Sequence, residues 1–227
     1  MPKHGKKYSS IKANAPKGAI EIEAAVEFLK ANPVAKFDET VELCLKMGID
    51  ARKSDNAIRS ICALPHGTGK DVRVLVFAAG DAADAAREAG AEFVGNEDMI
   101  EKVKGGWVDF DVAIATPDAM KEVRKLGRVL GPRGLMPNPK TGTVTDDTAK
   151  AVNEAKAGRV EFRMDRHANI NVPVGKLSFG KEQLVENINV LLDAVRAAKP
   201  AGARGTYIKA CSLASTMGVG LRVIVRD

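Results

Sequence analysis

Hydrophobic and polar residues alternate at the start of the chain in a way that predicts a small mixed structure. Apolar residues at helical spacing predict a helix from Glu21 to Lys30, which Asn32-Pro33 ends. Val41 to Met47 alternates apolar with polar residues, the period of a half-buried strand, and the segment from Ala57 to Leu64 predicts a partner strand. The first twenty residues hold five lysines and no acid, which predicts a disordered or loosely bound basic arm that contacts phosphates.

The middle of the chain has a different pattern, in which short apolar runs alternate with amphipathic stretches. Strands are predicted at Val72–Phe77, Ala91–Val94 and Val112–Ala115, and helices at Asp81–Ala89, Glu97–Lys104, Asp118–Leu126 and Asp147–Ala157. Strands that alternate with helices favour right-handed crossovers and a parallel sheet between two helical layers. We therefore predict a three-layer α/β domain here.

From residue 159 the pattern of the first segment returns. Strands are predicted at Arg159–Arg163 and Asn169–Val174 on either side of a turn, followed by a helix at Leu184–Ala198 and strands at Thr206–Ser212 and Leu221–Val225. Because the two ends share this pattern, we predict one discontinuous α+β domain made of residues 1–66 and 159–227. The α/β domain, residues 67–158, is inserted into it.

The charge distribution follows the same division. The formal net charge of the 227 residues is +6, yet residues 67–123 carry six basic and twelve acidic side chains, so the two ends are basic. Such asymmetry indicates a surface for a polyanion on one part of the molecule. Chance clustering of solvated charges is the alternative.

Composition also limits the cellular context. No apolar run approaches the roughly 20 residues that span a bilayer, and the N-terminus is polar and basic, unlike a secretory signal. Cys44, Cys62 and Cys211 lack C-x-x-C spacing and are interpreted as reduced core residues of a cytosolic protein. We expect no membrane association.

No catalytic or metal motif can be found in the sequence. His66 to Lys70 (HGTGK) resembles the end of a phosphate-binding loop, but Leu64 replaces the first glycine, Asp71 replaces the hydroxyl residue, and a strand follows. We interpret it as a polar hinge. The three histidines lie at no metal-ligand spacing, so no metal, cofactor or catalytic residue is predicted. A nucleotide- or metabolite-binding α/β enzyme stays as the alternative function.

Three short segments have the composition of RNA contacts. Lys36-Phe37 places a cation beside an aromatic ring ahead of a strand, although the sequence by itself slightly favours a core position for Phe37. Basic residues surround the turn at 163–167, which also fits a solvated hairpin tip. Ser215 to Gly218 (STMG) would allow backbone groups to approach ribose hydroxyls, or it is an ordinary turn.

The segment from Gly131 to Thr143 (GPRGLMPNPKTGT) contains three prolines and three glycines around Leu135 and Met136. Its composition fits a docked structural loop and a ligand-contacting loop equally well. Together with six other segments, it resembles the ribosomal protein L-one family. Those segments are MPKHGKKY, AKFDETVEL, LPHGTGK, GWVDFDVAIATPD, KAGRVEFRMDR and GTYIKACSLASTMG.

This resemblance implies a split α+β domain with an inserted Rossmann-like domain. It implies a protein that is not an enzyme, that is a monomer when free, and that works in the cytoplasm on the large ribosomal subunit. The implied partners are large-subunit rRNA, where the protein forms the mobile stalk, the deacylated tRNA leaving the exit site, and the mRNA of its own operon, whose translation it represses.

The resemblance also implies a set of RNA-binding residues on the split domain. They are Lys36, Phe37, Thr40, Arg163, Asp165, Arg166, Lys176, Thr216, Met217 and Gly218. We expect Arg163, Asp165, Arg166 and Lys176 to lie in the middle of the sheet. The sequence departs from the family pattern at Val219, where proline is common after STMG.

Overall fold

Clustering of residues in space divides the chain into two units. Unit 1 is Met1–Gly69 with Val160–Asp227, and unit 2 is Lys70–Arg159. The structure is a computed structural model that describes residues 5–51, 58–200, 202–203 and 205–225. Of the predicted features, His4 and the beginning of the strand predicted at Ala57 lie outside these residues.

The chain is a mixture of helices and strands. The α-helices are α1 (Lys6–Asn14), α2 (Ile22–Ala31), α3 (Asp81–Glu88), α4 (Glu97–Lys104), α5 (Met120–Val123), α6 (Gly127–Leu130), α7 (Thr148–Lys156) and α8 (Lys181–Ala197). The strands are β1 (Thr40–Met47), β2 (Arg59–Ala63), β3 (Val74–Phe77), β4 (Phe93–Gly95), β5 (Val112–Ala115), β6 (Arg159–Arg163), β7 (Asn169–Lys176), β8 (Ile208–Ser215) and β9 (Leu221–Val223). Short 3₁₀ turns lie at Arg124–Leu126 and Pro139–Thr141.

Unit 1 is organised around a four-stranded antiparallel sheet in the order β7-β1-β8-β9. The alternation of β1 puts Val41, Leu43, Leu45 and Met47 on the buried face, each about 1% exposed. Helices α2 and α8 contribute side chains to the same core. Burying each large aliphatic side chain stabilises the unit by about 1.5–3 kcal/mol. The opposite face of β1 is exposed or half-buried.

β7 is an edge strand, which explains the proline within it. Pro173 lacks a backbone N–H donor and is tolerated where no second neighbour needs that donor. The register with β1 shifts between Val41 and Glu42, so that Val41 faces Gly175 and Glu42 faces Pro173. This bulge bends β7 just before Lys176.

The strand pairing differs from the sequence prediction in two places. β2 pairs with β6 in a separate two-stranded sheet, not with β1, because β7 and β8 already occupy both edges of β1. β6 and β7 therefore belong to different sheets and do not form a hairpin. The turn that joins them contains Ala168 at φ 58°, a left-handed conformation that redirects the chain.

The predicted basic arm is partly a helix, α1, which corrects the sequence prediction for Lys6–Asn14. The helix buries no residue. It ends where Pro16 forces the preceding Ala15 into an extended conformation, with ψ 140°. Its lysines remain on the surface.

Unit 2 contains a parallel sheet in the order β4-β3-β5, with apolar clusters on both faces. All four residues of β3 are buried. Leu75 and Phe77 pack in the cluster that contains Val103 of α4, and Val74 and Val76 pack in the cluster that contains Val152 of α7. Helices therefore cover both faces, as a parallel sheet requires.

The helix predicted at Asp118–Leu126 is a longer, irregular helical run. It consists of α5, the 3₁₀ turn and α6, and it reaches Leu130. Val123, Leu126 and Leu130 form its buried face.

The loop from Gly131 to Thr143 is docked on unit 2. Leu135 and Met136 pack against an apolar cluster, and Thr141 is only 2% exposed. The backbone of Thr143 accepts a 2.9 Å hydrogen bond from Ala115 at the end of β5. Of the two interpretations left open by the sequence, docking describes the part of the loop around Leu135, Met136 and Thr141.

Unit 1 extends to Gly69 in its first segment and resumes at Val160. His66 and Gly67 belong to unit 1 because Asn187 of α8 holds both of their backbones. The His66 N–H donates to Asn187 Oδ1 at 3.2 Å, and Asn187 Nδ2 donates to the Gly67 carbonyl at 3.0 Å.

Candidate RNA-binding surface

Three neighbouring strands end together at one side of the four-stranded sheet of unit 1. Thr40 at the start of β1 faces Lys176 at the end of β7, and Val41 faces Ser215 at the end of β8. Thr40, Lys176 and Thr216, which were predicted from three distant parts of the sequence, therefore meet here. We call these three residues, together with Lys36, Phe37, Met217 and Gly218, the strand-end surface.

Hydrogen bonds join the strand-end residues directly. The backbones of Thr40 and Thr216 are linked by a 3.0 Å bond from the Thr216 N–H to the Thr40 carbonyl. The Thr216 hydroxyl oxygen accepts from the Thr40 N–H at 3.0 Å and lies 3.3 Å from the Thr40 carbonyl. Lys176 Nζ donates to the Thr40 hydroxyl at 2.8 Å. The two threonines and the lysine thus form one row across three strands.

A buried carboxylate, that of Glu39, holds the two loops of the surface together. Its Oε1 accepts backbone N–H bonds from Val34 at 2.9 Å and Ala35 at 2.6 Å, and its Oε2 accepts one from Met217 at 3.1 Å. The side chain is 0% exposed. Burial acts to raise the pKa of Glu39, but these hydrogen bonds, led by that from Ala35, outweigh it, and the pKa is lowered.

Asp38 fixes a third loop at the same place. Its Oδ1 accepts from the Ser178 N–H at 3.1 Å, and its Oδ2 accepts from the Ser178 hydroxyl at 2.7 Å. Sequence reasoning missed both Asp38 and Glu39. For Glu39 a signal existed, because it continues the buried phase of the alternation in β1, two residues before Val41.

Two large apolar side chains project from the surface that these carboxylates support. Phe37 is 59% exposed and Met217 is 54% exposed. Phe37 is therefore not a core residue. The loops that carry them are both bound to Glu39, which fixes their backbones. Exposed apolar side chains held on rigid backbone are typical of contact residues.

Gly218 is favoured by close packing rather than by an unusual backbone angle. A Cβ at this position would overlap the Ser215 hydroxyl oxygen. The N–H of Gly218 donates to the Ser215 carbonyl at 3.0 Å and closes the turn. Val219, where the sequence departs from the family pattern, is 6% exposed and anchors the end of this turn in the protein.

Arg163, Asp165 and Arg166 lie at the other end of β7, not in the middle of the sheet as expected. Asp165 is bound to Asn169, the first residue of β7, whereas Lys176 is the last. The two ends are seven residue steps apart along the strand, which corresponds to about 23 Å. The structure therefore places the predicted residues in two groups along one strand.

Asp165 has a local structural task in this second group. Its Oδ1 accepts from the N–H groups of His167 at 2.8 Å and Asn169 at 2.7 Å. The hydrogen bonds from Asn169 are the main reason that the pKa of Asp165 is lowered. Arg163 and Arg166 are exposed, and no carboxylate of the described residues lies within 4 Å of them.

The open face of β1 connects the two groups. Glu42 and Lys46 are exposed on it, and Cys44 between them is half-buried, which corrects its interpretation as a core residue. Burial raises the pKa of the Cys44 thiol, so the thiol remains protonated near neutral pH. Cys62 and Cys211 are buried, and all three cysteines are free.

Within residues 5–51, 58–200, 202–203 and 205–225, the acidic, histidine and cysteine side chains form no group of three that could hold a metal ion. Over the same part of the chain, no helix is long and apolar enough to cross a membrane.

The fold and this surface define a mixed α/β protein with the features of a nucleic-acid-binding protein. The model of the Ribosomal protein L1p/L10e family matches residues 29–219, so the chain belongs to this family. It is therefore a large-subunit ribosomal protein that binds rRNA, it is not an enzyme, and it is located on the ribosome in the cytoplasm. The sequence prediction of a large-subunit ribosomal protein that binds rRNA is thus confirmed.

Proposed function

We propose that the strand-end surface of unit 1 binds large-subunit rRNA. The observation that carries this proposal is the pair of exposed apolar side chains, Phe37 and Met217, on loops that share the buried carboxylate of Glu39. Aromatic and thioether side chains pack on the flat faces of bases and riboses, which are accessible in folded or single-stranded RNA.

The polar residues around this pair supply the remaining contacts. Lys36 is exposed, and Lys176 lies at the strand end, so both are placed to bind phosphates. The lack of a side chain at Gly218 leaves backbone groups accessible to ribose 2′-hydroxyls, which distinguish RNA from DNA. Arg163 and Arg166 at the far end of β7 extend the phosphate contacts along the open face of the sheet.

Met217→Asp tests the surface directly. It places a charge where a base or ribose should pack, and we expect binding to a large-subunit rRNA fragment to weaken by more than about 1 kcal/mol in a filter-binding assay. Val190→Asp is the matched control. Val190 is an apolar residue of α8 that is 39% exposed, and its substitution by aspartate makes the same change of charge as Met217→Asp. Equal binding by the wild type and Met217→Asp would refute the assignment.

Thr216 offers a second test with a conservative rescue. Thr216→Ala removes the hydroxyl that bonds the Thr40 N–H, and Thr216→Ser retains it. We expect the alanine variant to bind the fragment more weakly and the serine variant to bind like the wild type. A serine variant as weak as the alanine variant would contradict the role of this hydroxyl.

The two units are proposed to be separate domains, with RNA binding in the discontinuous one. The separate apolar clusters of units 1 and 2 support this. Residues 1–66 joined by a short linker to 159–227 should fold and bind the rRNA fragment. If only the isolated insert, residues 67–158, binds it, the assignment is reversed.

Membership in the family supports a finer role on the ribosome. We propose that the protein forms the mobile stalk near the exit site, assists release of deacylated tRNA, and represses translation of its own operon by binding that mRNA. One surface would bind rRNA and mRNA in turn, so the rRNA fragment should displace the mRNA leader in a competition assay. Simultaneous binding of both RNAs would contradict a shared surface.

A further inference from the structure

Unit 2 contains a basic surface that the rRNA-binding surface of unit 1 does not include. Between residues 121 and 133 the sequence carries five lysines and arginines and one acid, Glu122. The preceding part of the unit is acidic, with eleven acidic and five basic residues between 70 and 120. A local excess of positive charge in acidic surroundings directs a polyanion to one place.

The helical run places these charges on one side. Val123, Leu126 and Leu130 face the core, while Lys121, Arg124, Lys125 and Arg128 are exposed. The exposed residues recur at spacings of three and four, which puts them in a stripe roughly 10 Å long. Arg133 is exposed in the turn that follows. We call these five residues the basic stripe.

The three arginines of the stripe are available to a ligand. Lys121 lies 3.5 Å from Asp118, and Lys125 pairs with Glu122. In contrast, no carboxylate of the described residues lies within 4 Å of Arg124, Arg128 or Arg133. The adjoining loop is anchored by Leu135 and Met136, so the arginines project from ordered backbone.

The chemistry of the stripe favours a phosphate backbone over a protein partner. A guanidinium group matches a phosphate with two parallel hydrogen bonds. Protein interfaces instead depend on large apolar anchors. The exposed large hydrophobic residues of the described chain are Phe37, Val190, Met217 and Ile224, all outside unit 2.

We propose that the basic stripe is a second RNA-binding site, which contacts the phosphate backbone of a structured RNA without reading its sequence. It is independent of the strand-end surface. The protein would therefore hold two RNA segments at once, one through each unit.

The test uses the full-length protein already saturated with the large-subunit rRNA fragment. A labelled RNA duplex of about 16 base pairs, the length covered by a double-stranded RNA-binding domain, is titrated at several salt concentrations. Replacing Arg124, Arg128 and Arg133 with alanine should weaken duplex binding about tenfold or more at low salt. It should also reduce the slope of log affinity against log salt by about 2 to 3, since each lost phosphate contact removes about 0.9.

Two control variants separate the stripe from general electrostatics. Arg87, Lys150 and Lys156 are exposed on α3 and α7, which pack on the other face of the sheet, and their triple alanine variant makes the same change of charge. We expect it to retain duplex binding. Replacing the three arginines with lysines should keep most of the salt dependence, because the charges remain.

The outcomes distinguish this proposal from that for the strand-end surface. The triple arginine variant should still bind the rRNA fragment, which also shows that it is folded, and Met217→Asp should still bind the duplex. Unchanged duplex binding by the triple arginine-to-alanine variant would overturn the proposal. An equal loss in the triple alanine control on α3 and α7 would overturn it as well. So would equally tight binding of polyglutamate, because the stripe would then bind any polyanion.

Discussion

Replacement of Glu39 by glutamine is the sharpest test of how the strand-end surface is built. The carboxylate is fully buried and accepts three backbone N–H bonds. A glutamine has one oxygen that accepts and one NH₂ group that only donates. If the oxygen stays on Val34 and Ala35, the NH₂ group faces the N–H of Met217, so at least one bond is lost.

The cost follows from the number and type of bonds. One hydrogen bond to a charged acceptor contributes about 1.5–3 kcal/mol, and the other two weaken when the charge is removed. We therefore expect Glu39→Gln to lower the free energy of unfolding by about 2–4 kcal/mol in urea titrations. Glu42→Gln is the control, because Glu42 is exposed and its substitution should cost within about 0.5 kcal/mol.

Two further measurements localise the effect. Amide hydrogen exchange should accelerate at Val34, Ala35 and Met217 in Glu39→Gln, and binding of the rRNA fragment should weaken because Phe37 and Met217 lose their support. Equal exchange rates, stability and RNA affinity in the wild type and the variant would refute the role assigned to this carboxylate.

The pH dependence of stability tests the role of the Glu39 carboxylate in the free protein, without RNA. The pKa of Glu39 is lower in the folded protein than its ordinary value of 4.5. Its contribution is therefore fully present above about pH 4.5 and is lost as the pH falls through the folded pKa. Glu39→Gln should lack this acid-induced loss, so the wild type and the variant should converge in stability below that pKa.

Three other substitutions have defined outcomes. Gly218→Ala should lower the free energy of unfolding in urea by about 1–3 kcal/mol, because the new Cβ overlaps Ser215. The loss should be smaller in a Ser215→Ala background. An equal loss in both backgrounds would contradict the overlap. Asn187→Ala should cost about 2–4 kcal/mol, since it leaves the buried Val174 carbonyl and the part-buried backbones of His66 and Gly67 without this partner. A melting temperature equal to that of the wild type would disprove this. Tyr207→Phe removes a buried 3.0 Å bond to the Val195 carbonyl and should cost about 1 kcal/mol in the same assay; a neutral result would mean that the bond contributes nothing.

The elements that sequence reasoning predicted best are those with strong local patterns. Strand β5 and helix α4 have the predicted boundaries, because Asn96 and Gly105 flank the helix and a short apolar run defines the strand. The partner of β2 could not be predicted in the same way. Its pairing with β6 joins residues about a hundred positions apart, and no local pattern encodes that choice.

The candidate surface also combines residues that local motifs predict with a contact between distant parts of the sequence that no motif predicts. Phe37 and Met217 were recognised from motifs, but their exposure depends on what packs beneath them. Glu39 lies 178 positions from Met217 in the sequence, and a carboxylate in the string FDET looks like a surface acid. The alternation of buried and exposed positions in β1 nevertheless places Glu39 on the buried face. This alternation therefore predicts the burial of Glu39 better than its residue type does.

The buried carboxylate also explains how the protein keeps two large apolar side chains exposed. A flexible loop would fold Phe37 or Met217 onto the protein and would pay ordering entropy again when RNA binds. Glu39 fixes both loop backbones in advance through bonds formed during folding. Part of the folding free energy of unit 1 is thus used to organise the proposed RNA-binding surface during folding. Stability and RNA affinity should therefore fall together in Glu39→Gln, whereas Met217→Asp should change affinity with little change in stability.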